Sequence, residues 1–382
     1  MRFFLESRDM YEDMSALGAR NLLLNCAEAK AGDRLLIALE PSDLGFFADD
    51  AFECVLGEAV RLGLTVESVN VGFHAENPHL PKPLLRGMAS YDIILFLARL
   101  GDQLRFSDMP RGKRIIVSFA LNAHLLGTGF GTANHSAFVA LKSAVNSALS
   151  NAGEIRISCP AGTEVVGKTD IELTPAVDTS ILRFPMSVFT PVPATKFDGR
   201  VALPGFLTGA GSRYYDDYTV EFDGQVYAML DRGRLAGFEG SPSNVDRANR
   251  HYDRVAALFG IDRNFVHSWH AGIHPGCGFA GNAGANYQRW GMIAFGNPRI
   301  LHFHTCGEYA PGEISWNVID PTVEADGIKY WENGSFRADR LSGGARILRR
   351  HPDAAGLFRN PDRNIGIADA TQRLLCHGGK TW

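Results

Sequence analysis

Histidines are concentrated in one short region of this sequence. Five of the twelve lie between residues 267 and 304. Imidazole is the commonest protein ligand for transition metals, and a metal centre needs several ligands that converge from rigid elements. The region therefore indicates either a metal centre or an acid–base site. Its histidines are His267, His270, His274, His302 and His304.

The spacing of two of these histidines favours a shared face. Residues 300–306 have the apolar composition of a strand, and side chains alternate between the two faces of a strand. His302 and His304 are therefore expected to project from one face together with Cys306. An isolated histidine is more often a hydrogen-bonded core or surface residue than a ligand. Two of them at this spacing, together with a second pair of histidines about thirty residues earlier, make a metal or acid–base site an equal alternative.

The second pair of histidines precedes this strand by about thirty residues. Gly272 and Pro275 predict a loop rather than a helix around His270 and His274. Acidic residues that could complete a site follow the strand, at Glu308, Glu313 and Asp320.

Other chemistry-bearing patterns are weaker. The chain has no GxSxG elbow, kinase motif set, HExxH motif or EF-hand loop. The GxGxG run at residues 127–131 is expected to be a flexible loop rather than a nucleotide cradle. Residues 216–217 are either paired carboxylates or a polar turn. Arg105 and Arg183 are each expected either to bind a substrate carboxylate in bidentate fashion or to form a surface ion pair.

The elements that must position these residues differ between the two halves of the chain. Between about residues 15 and 160, short apolar strands alternate with helices, which predicts an α/β domain with a parallel sheet. Later strands are broken by Asp-Gly turns at 198–199, 223–224 and 326–327 and by Asn-Gly at 333–334, which indicates antiparallel hairpins. We therefore predict an α/β domain over residues 1–152 and an α+β catalytic domain over residues 153–382, with one helix at 244–258.

Composition excludes several classes of protein. The chain has 382 residues, 45% of them hydrophobic, and a formal net charge of −4. These values argue against disorder and against a nucleic-acid-binding protein. No apolar run approaches a membrane span, the first residues lack the core of a signal peptide, and the six cysteines are scattered. A cytoplasmic protein without membrane or nucleic-acid partners is expected.

The order of several short segments resembles the aminopeptidase T (thermophilic metalloaminopeptidase) superfamily. The resemblance covers about residues 15–335. Its matching segments are residues 21–37, 158–163, 184–190, 197–199, 270–275 and 314–327. It implies a metalloenzyme, either a two-metal aminopeptidase or a mononuclear ferrous 2,5-dihydroxypyridine 5,6-dioxygenase, and a homo-oligomer.

The superfamily's ligand positions are altered in this chain. By the resemblance, the two aminopeptidase glutamates fall on Ser187 and His270, and the HxD pair falls on Ser315 and Asn317. Neutral serine and asparagine are poor ligands, so the two-metal site is expected to be absent. A histidine at position 270 agrees with the iron-dioxygenase branch.

Two outcomes follow from these replacements. Either His302 and His304 join His270 in a three-histidine site, or metal binding is lost and the pocket works by acid–base chemistry. We favour a mononuclear Fe²⁺ dioxygenase-like enzyme that acts with O₂ on a small hydroxylated aromatic or heteroaromatic acid. The alternatives are a Zn²⁺- or Mn²⁺-dependent aminopeptidase-like or amide hydrolase and a non-catalytic homologue. The further expected site residues are His274, Ser315 and Asn317 as catalytic groups and Ser187, Arg183 and Glu308 as substrate-binding groups.

Overall fold

The computed structural model describes most of the chain, in two compact units. The described residues are 14–75, 79–80, 82–170, 179–209, 211–307 and 314–367. The first unit is drawn from segments 1–139, 178–187 and 350–361, and the second from segments 140–177, 188–349 and 362–382. Compact units defined by contacts need not coincide with domains, so the predicted division at residue 152 stays a prediction.

The first unit contains a parallel sheet, as predicted. Its strands follow one another in the order β2-β1-β3-β4-β7, and every neighbouring pair is parallel. The central strands are almost wholly buried, which explains their continuous apolar sequences. The five strands are β1 (Arg34–Leu39), β2 (Thr65–Asn70), β3 (Ile93–Leu97), β4 (Arg114–Ser118) and β7 (Leu182–Phe184).

Helices occupy the connections between these strands. Residues 14–20 are α-helical and continue as a π-helical segment, Asn21–Cys26. The GxGxG run predicted to be a flexible loop is instead part of two helical segments. The side chain of Asn122 accepts a hydrogen bond from the amide of Leu125 and caps the first of them. The other α-helices among the described residues of both units are Asp49–Arg61, Lys82–Met88, Arg99–Gln103, Ala123–Gly127, Gly129–Thr132, His135–Ser150, Pro242–Phe259, Tyr287–Ala294, Gly344–Arg350 and Pro352–Arg359.

The second unit holds an eight-stranded antiparallel sheet. Its strand order is β13-β12-β9-β6-β5-β17-β18-β19. The predicted turns at 326–327 and 333–334 join β17 to β18 and β18 to β19. Its strands are β5 (Ile155–Ser158), β6 (Glu164–Gly167), β9 (Phe197–Leu203), β12 (Val226–Asp231), β13 (Arg234–Glu239), β17 (Thr322–Ala325), β18 (Ile328–Glu332) and β19 (Ser335–Phe336).

Two of the predicted hairpin turns are not hairpins. Residues 198–199 lie inside β9, where Gly199 has a φ of +139° and pairs with both β6 and β12. A Cβ atom on Gly199 would lie 2.1 Å from the carbonyl oxygen of Glu164, so the glycine permits close approach of two strands. Residues 223–224 connect β11 (Val220–Glu221) to β12, which belong to different sheets.

A second antiparallel sheet, with six strands, carries the histidine-rich region. Its order is β11-β10-β16-β15-β14-β8. Together with the eight-stranded sheet it confirms the predicted α+β architecture. The remaining strands of this sheet are β8 (Val192–Pro193), β10 (Phe206–Gly209), β14 (Val266–Ala271), β15 (Ile300–Thr305) and β16 (Ile314–Ile319).

One face of the six-stranded sheet is apolar and closed by aromatic packing. Trp269, Phe303 and Trp316 are fully buried, and the ring of Phe303 contacts the rings of both tryptophans. The hydroxyl of Tyr252, from the helix Pro242–Phe259, accepts a hydrogen bond from Trp316 Nε1 at 2.6 Å. This packing fixes the strands, so the opposite face can carry polar side chains at fixed positions.

The helix Pro242–Phe259 has clear start and stop signals. Ser241 caps its first turn by accepting a hydrogen bond from the amide of Asn244, and Pro242 occupies the first turn. Gly260, in the left-handed conformation, ends it. No helix among the described residues is long and apolar enough to cross a membrane.

Candidate metal centre

The three central strands of the six-stranded sheet place polar side chains in register on one face. His270 on β14 lies opposite His302 on β15, which lies opposite Asn317 on β16. Residues that lie directly opposite in antiparallel strands project to the same face. The first polar row therefore consists of His270, His302 and Asn317.

A second polar row lies two residues away along the same strands. Ser268 on β14 lies opposite His304, His304 opposite Ser315, and Ser315 opposite Thr208 on β10. Because side chains alternate with a period of two, both rows occupy the same face. This surface is called the histidine face below.

Three histidines of this face converge on one point. The Nε2 atom of His270 lies 2.7 Å from Nε2 of His302 and 3.1 Å from Nε2 of His304. Each histidine offers a ring nitrogen within 4.8 Å of the other two. His270 and His302 are buried, and His304 is partly buried. The residues predicted to form a three-histidine site are thus brought together.

A backbone carbonyl fixes the tautomer of the central histidine. His270 Nδ1 lies 3.0 Å from the carbonyl oxygen of Phe189, which can only accept a hydrogen bond. Nδ1 of His270 therefore carries the proton, and in the neutral ring the lone pair is on Nε2. Carbonyl groups commonly orient metal-binding histidines in this way.

The donor set fits a transition-metal ion. The lone pair of His270 Nε2 faces two imidazole nitrogens at once, and a cation bound by all three rings gives each lone pair a partner. With a metal–nitrogen distance of about 2.1 Å, ligand nitrogens at right angles are about 3.0 Å apart, and tetrahedral ones about 3.4 Å apart. The measured separations of 2.7 and 3.1 Å are closer to the right-angled, facial arrangement. The cluster could therefore hold a metal ion with coordination positions left open.

Aromatic rings pack against the histidines. The ring of Phe295 lies 4.3 Å from that of His302, centroid to centroid, and Phe189 meets His270 edge-on at 6.1 Å. Phe295 belongs to a buried apolar cluster that also contains Trp290 and Ile300. These rings hold the imidazoles in place and shield them from water, which strengthens electrostatic interactions at the site.

Three further polar residues of the histidine face are buried without hydrogen-bond partners. Both side-chain polar atoms of Asn317 and the hydroxyl oxygens of Ser315 and Thr208 have no hydrogen-bond partner among the described residues. All three residues are fully buried. Ser315 and Asn317, which were predicted as catalytic groups, lie opposite His304 and His302 and are therefore neighbours of the histidines.

Two sequence-based expectations about this region are wrong. His270 lies in β14 and not in a loop, because the chain leaves the strand only after Ala271. Cys306 does not share the face of His302 and His304. β15 ends at Thr305, and Cys306 has a φ of +60° and directs its Sγ towards the backbone of Tyr252 on the opposite side.

His274 is buried in the turn that follows β14. Its Nδ1 accepts a hydrogen bond from the amide of Gly276 at 3.1 Å, so its proton is on Nε2 in the neutral ring. His274 is not a member of the three-histidine cluster. A role for it as an acid–base group stays a prediction.

The predicted substrate-binding residues are Arg183 and Ser187, which the structure describes, and Glu308, which it does not. Arg183 is in β7 and Ser187 follows it, and both belong to the first unit, whereas the three histidines belong to the second. Their roles stay predictions. Glu308 and Glu313 lie outside the described residues.

The other candidate residues form ion pairs. Arg105 is buried and lies 3.4 Å from the carboxylate of Asp102, so it is paired in the interior and not at the surface. Asp216 pairs with Arg213 in a bend before β11. Neither observation supports a catalytic role.

Sequence reasoning missed Thr208, Phe189 and Phe295. Thr208 is distant in sequence from the histidines and reaches the histidine face only through the pairing of β10 with β16. The two phenylalanines carry no motif. The sequence at 206–209 has no alternation of polar and apolar residues, so no local signal identifies Thr208.

The fold and the three-histidine cluster together define the class of this protein. It has an α/β unit and an antiparallel α+β unit, and the six-stranded sheet of the second unit carries a candidate site for one metal ion. No family model and no curated protein matches this sequence. Solved structures do match its fold. One is 2,5-dihydroxypyridine dioxygenase from Pseudomonas putida KT2440, with 11% identity, a TM-score of 0.58, and coverage of 85% of this chain and 96% of that chain.

A second similar structure is wild-type AmpT from Thermus thermophilus. It has 11% identity and a TM-score of 0.47, and the match covers 86% of this chain and 99% of that chain. At 11% identity the likeness to the dioxygenase shows the fold alone, and it confirms the fold that the sequence resemblance implied.

Proposed function

We propose that this protein is a mononuclear metalloenzyme whose His270, His302 and His304 hold Fe²⁺. In this proposal it is a ring-cleaving dioxygenase-like enzyme that acts with O₂ on a small hydroxylated aromatic or heteroaromatic acid. The observation that carries the proposal is the convergence of three Nε2 atoms on one point of a buried sheet face.

The donor set supports ferrous iron. Neutral nitrogen ligands in a facial arrangement leave neighbouring positions for substrate and O₂, which is the arrangement used by non-haem iron oxygenases. Bound iron would supply the one-electron chemistry that lets O₂ react with an aromatic ring. The shared fold with a 2,5-dihydroxypyridine dioxygenase supports the same reaction class.

The chain's own residues have separate roles in this proposal. Phe189 and Phe295 hold the imidazoles and exclude water, and the Phe189 carbonyl keeps the Nε2 lone pair of His270 directed at the metal. Ser315 and Asn317 contact the substrate. His274 acts as a nearby acid–base group, and Arg183, Ser187 and Glu308 contribute to substrate binding.

A hydrolase is the second candidate, because three histidines and a water molecule also suit zinc. Zn²⁺ or Mn²⁺ at this site would lower the pKa of a bound water and favour cleavage of an amide or peptide. A third candidate is a homologue that binds a small molecule without catalysis. We further propose a cytoplasmic homo-oligomer, on the sequence resemblance and composition.

Elemental analysis of protein purified without a tag tests these candidates. Iron at about one atom per chain, with O₂ consumption when 2,5-dihydroxypyridine is offered as a first probe, supports the dioxygenase. Zinc or manganese supports the hydrolase. Absence of metal after reconstitution with each of the three ions rules out both metalloenzymes.

Two variants make the test specific to this site. His304→Ala is expected to lose the metal, whereas His267→Ala, a histidine of the same sheet outside the cluster, is expected to retain it. Equal metal content in the two variants would contradict the three-histidine site.

A further inference from the structure

Asn317 is buried at a cost that the protein itself does not offset. Its side chain is fully buried, and in the part of the chain that the structure describes neither its amide nitrogen nor its amide oxygen has a hydrogen-bond partner. Burying an amide without partners is unfavourable, so a buried orphan group calls for an explanation. The simplest explanation is a ligand that supplies the missing partners.

This chain satisfies a comparable asparagine elsewhere. Asn297 is also buried, but its Nδ2 donates to the carbonyl oxygens of Cys277 and Asp362, and its Oδ1 accepts from the amide of Arg299. The fold therefore saturates this buried asparagine. Asn244, in the helix Pro242–Phe259, is buried with a side-chain amide that is unpartnered among the described residues as well, so it is the grouping of such residues beside the histidines that distinguishes the histidine face.

The orphan polar atoms are grouped beside the histidines. Asn317 lies directly opposite His302, and Ser315, directly opposite His304, has an unpartnered hydroxyl as well. Thr208, opposite Ser315, extends the group by one strand. Side chains opposite each other in such pairs have Cβ atoms about 5 Å apart, so this group is directly adjacent to the histidines.

The chemistry of the group specifies its ligand. Asn317 offers an N–H donor and a C=O acceptor side by side, and Ser315 and Thr208 offer hydroxyls that either donate or accept. None of the three is charged. A carboxylate on this group would be buried with no cation among these three side chains, whereas a neutral amide edge would pair with Asn317 through two hydrogen bonds.

We propose that Asn317, Ser315 and Thr208 form a binding platform for a neutral amide edge, that of a carboxamide or a lactam, on a small ring compound. The proposal deepens the proposed function and rests on it for the ring's position beside the metal. The platform holds the neutral edge of the ring. The ring's ionisable oxygen is left to the metal, and a carboxylate substituent binds elsewhere.

Three simple probes of one shape test the platform. Benzamide has both a donor and an acceptor, N,N-dimethylbenzamide has only the acceptor, and benzoate replaces the amide by a charge. Binding to the metal-loaded protein is measured by titration calorimetry. Benzamide is expected to bind at least about tenfold more tightly than either analogue, since each loses a hydrogen bond or buries a charge.

Variants separate a binding role from a structural one. Asn317→Leu is expected to weaken benzamide binding at least about tenfold, to retain the metal, and to melt at the same or a higher temperature, because a buried orphan amide is removed. Asn297→Leu, the matched control, is expected to melt at a lower temperature. If Asn317→Leu fails to fold, Ser315→Ala serves instead and is expected to weaken benzamide binding by a smaller factor.

The outcomes distinguish this inference from the proposed function. If metal is absent from wild-type protein but benzamide binding still depends on Asn317, the platform stands and the metalloenzyme fails. If the metal is present but benzamide binds Asn317→Leu as tightly as wild type, the platform is refuted alone. Preference for benzoate over benzamide, or no detectable benzamide binding to wild type, also overturns it.

Discussion

His302 and Asn317 lie directly opposite each other on neighbouring antiparallel strands, and both are buried on the same face of the sheet. One is an imidazole that converges on two others, and the other is a neutral amide whose polar atoms have no partner. Position 317 is where the family resemblance implied a carboxylate ligand. In our proposal His302 and His304, on the neighbouring strand β15, bind the metal instead, and Asn317 contacts the substrate.

Metal removal is expected to lower the thermal stability of the wild-type protein. An ion that binds only the folded state stabilises it by about 2.7 kcal/mol when its concentration is a hundred times the dissociation constant. A chelator should therefore lower the melting temperature of wild type, measured by calorimetry, and should leave that of His304→Ala unchanged. An equal shift in both proteins would show that the chelated ion is bound elsewhere.

Gly272→Ala is expected to destabilise the strand that carries His270. A Cβ atom at Gly272 would lie 2.2 Å from the carbonyl oxygen of Asn297, and a backbone atom cannot move aside cheaply. We expect a loss of about 3 kcal/mol in the free energy of unfolding, at the upper end for overpacking, and weaker metal binding. Urea unfolding and metal titration measure these effects.

Gly237→Ala is the matched control for this substitution. Gly237 also lies in a strand, β13, but a Cβ atom there would meet no atom within 4 Å. Its free energy of unfolding and its metal affinity should match those of wild type. Similar losses in the two variants would contradict the steric explanation.

Tyr252→Phe is expected to destabilise the fold without affecting the metal site. Thr305 donates its hydroxyl proton to the carbonyl of Ile314, so Tyr252 donates to Thr305 and accepts from Trp316. Removing the hydroxyl leaves the buried indole N–H of Trp316 unpaired, which costs about 1–3 kcal/mol. These groups lie on the face opposite the histidines, so metal content should not change.

Tyr227→Phe provides a comparison for the loss of a less buried hydroxyl. Tyr227 is partly exposed, and its hydroxyl donates to the carbonyl of Ala161 at 3.3 Å. We expect a change below about 1 kcal/mol in the free energy of unfolding. Loss of metal from Tyr252→Phe would refute the independence of the two faces.

His251 is expected to make stability fall in mild acid. Burial, reinforced by the nearby Arg254 guanidinium, lowers the pKa of His251 from 6.5 to about 4. Between these values the unfolded chain takes up a proton that the folded chain does not, so the free energy of unfolding falls as the pH falls. The loss attributable to His251 is roughly 3 kcal/mol between pH 7.5 and pH 4.

Urea unfolding of wild type and His251→Leu at both pH values measures this contribution. The free energy of unfolding of the variant should decrease less than that of wild type between the two pH values, by roughly 3 kcal/mol. His124→Gln, at an exposed position, should retain the wild-type dependence. If His251→Leu has the same pH dependence as wild type, the histidine does not remain neutral in the folded protein.

Local sequence patterns were sufficient to predict the features that depend only on residues close together in the chain. The strand Arg34–Leu39 is one of the short apolar strands expected in the first half of the chain, and its buried apolar run begins just after a turn containing Gly32. Alternation correctly placed His302 and His304 on one face, since a period of two is intrinsic to a strand.

Long-range pairing decided the features that the sequence could not predict. The alignment of His270 with His302 depends on the register between β14 and β15, and Thr208 joins the site only through the pairing of β10 with β16. Gly199 has the same sequence signature as a turn glycine. Its role in the close contact between strands depends on the backbone of Glu164 on the neighbouring strand, which the local sequence does not show.

The pairing of β14 with β15 has a consequence for folding. His270 and His302 lie opposite each other, with His304 two residues further along. A slip of one residue between these strands would turn the side chains of one strand to the apolar face and separate the three nitrogens. Metal binding would therefore report correct strand alignment, and an ion present during refolding would select chains in the native register over misaligned ones.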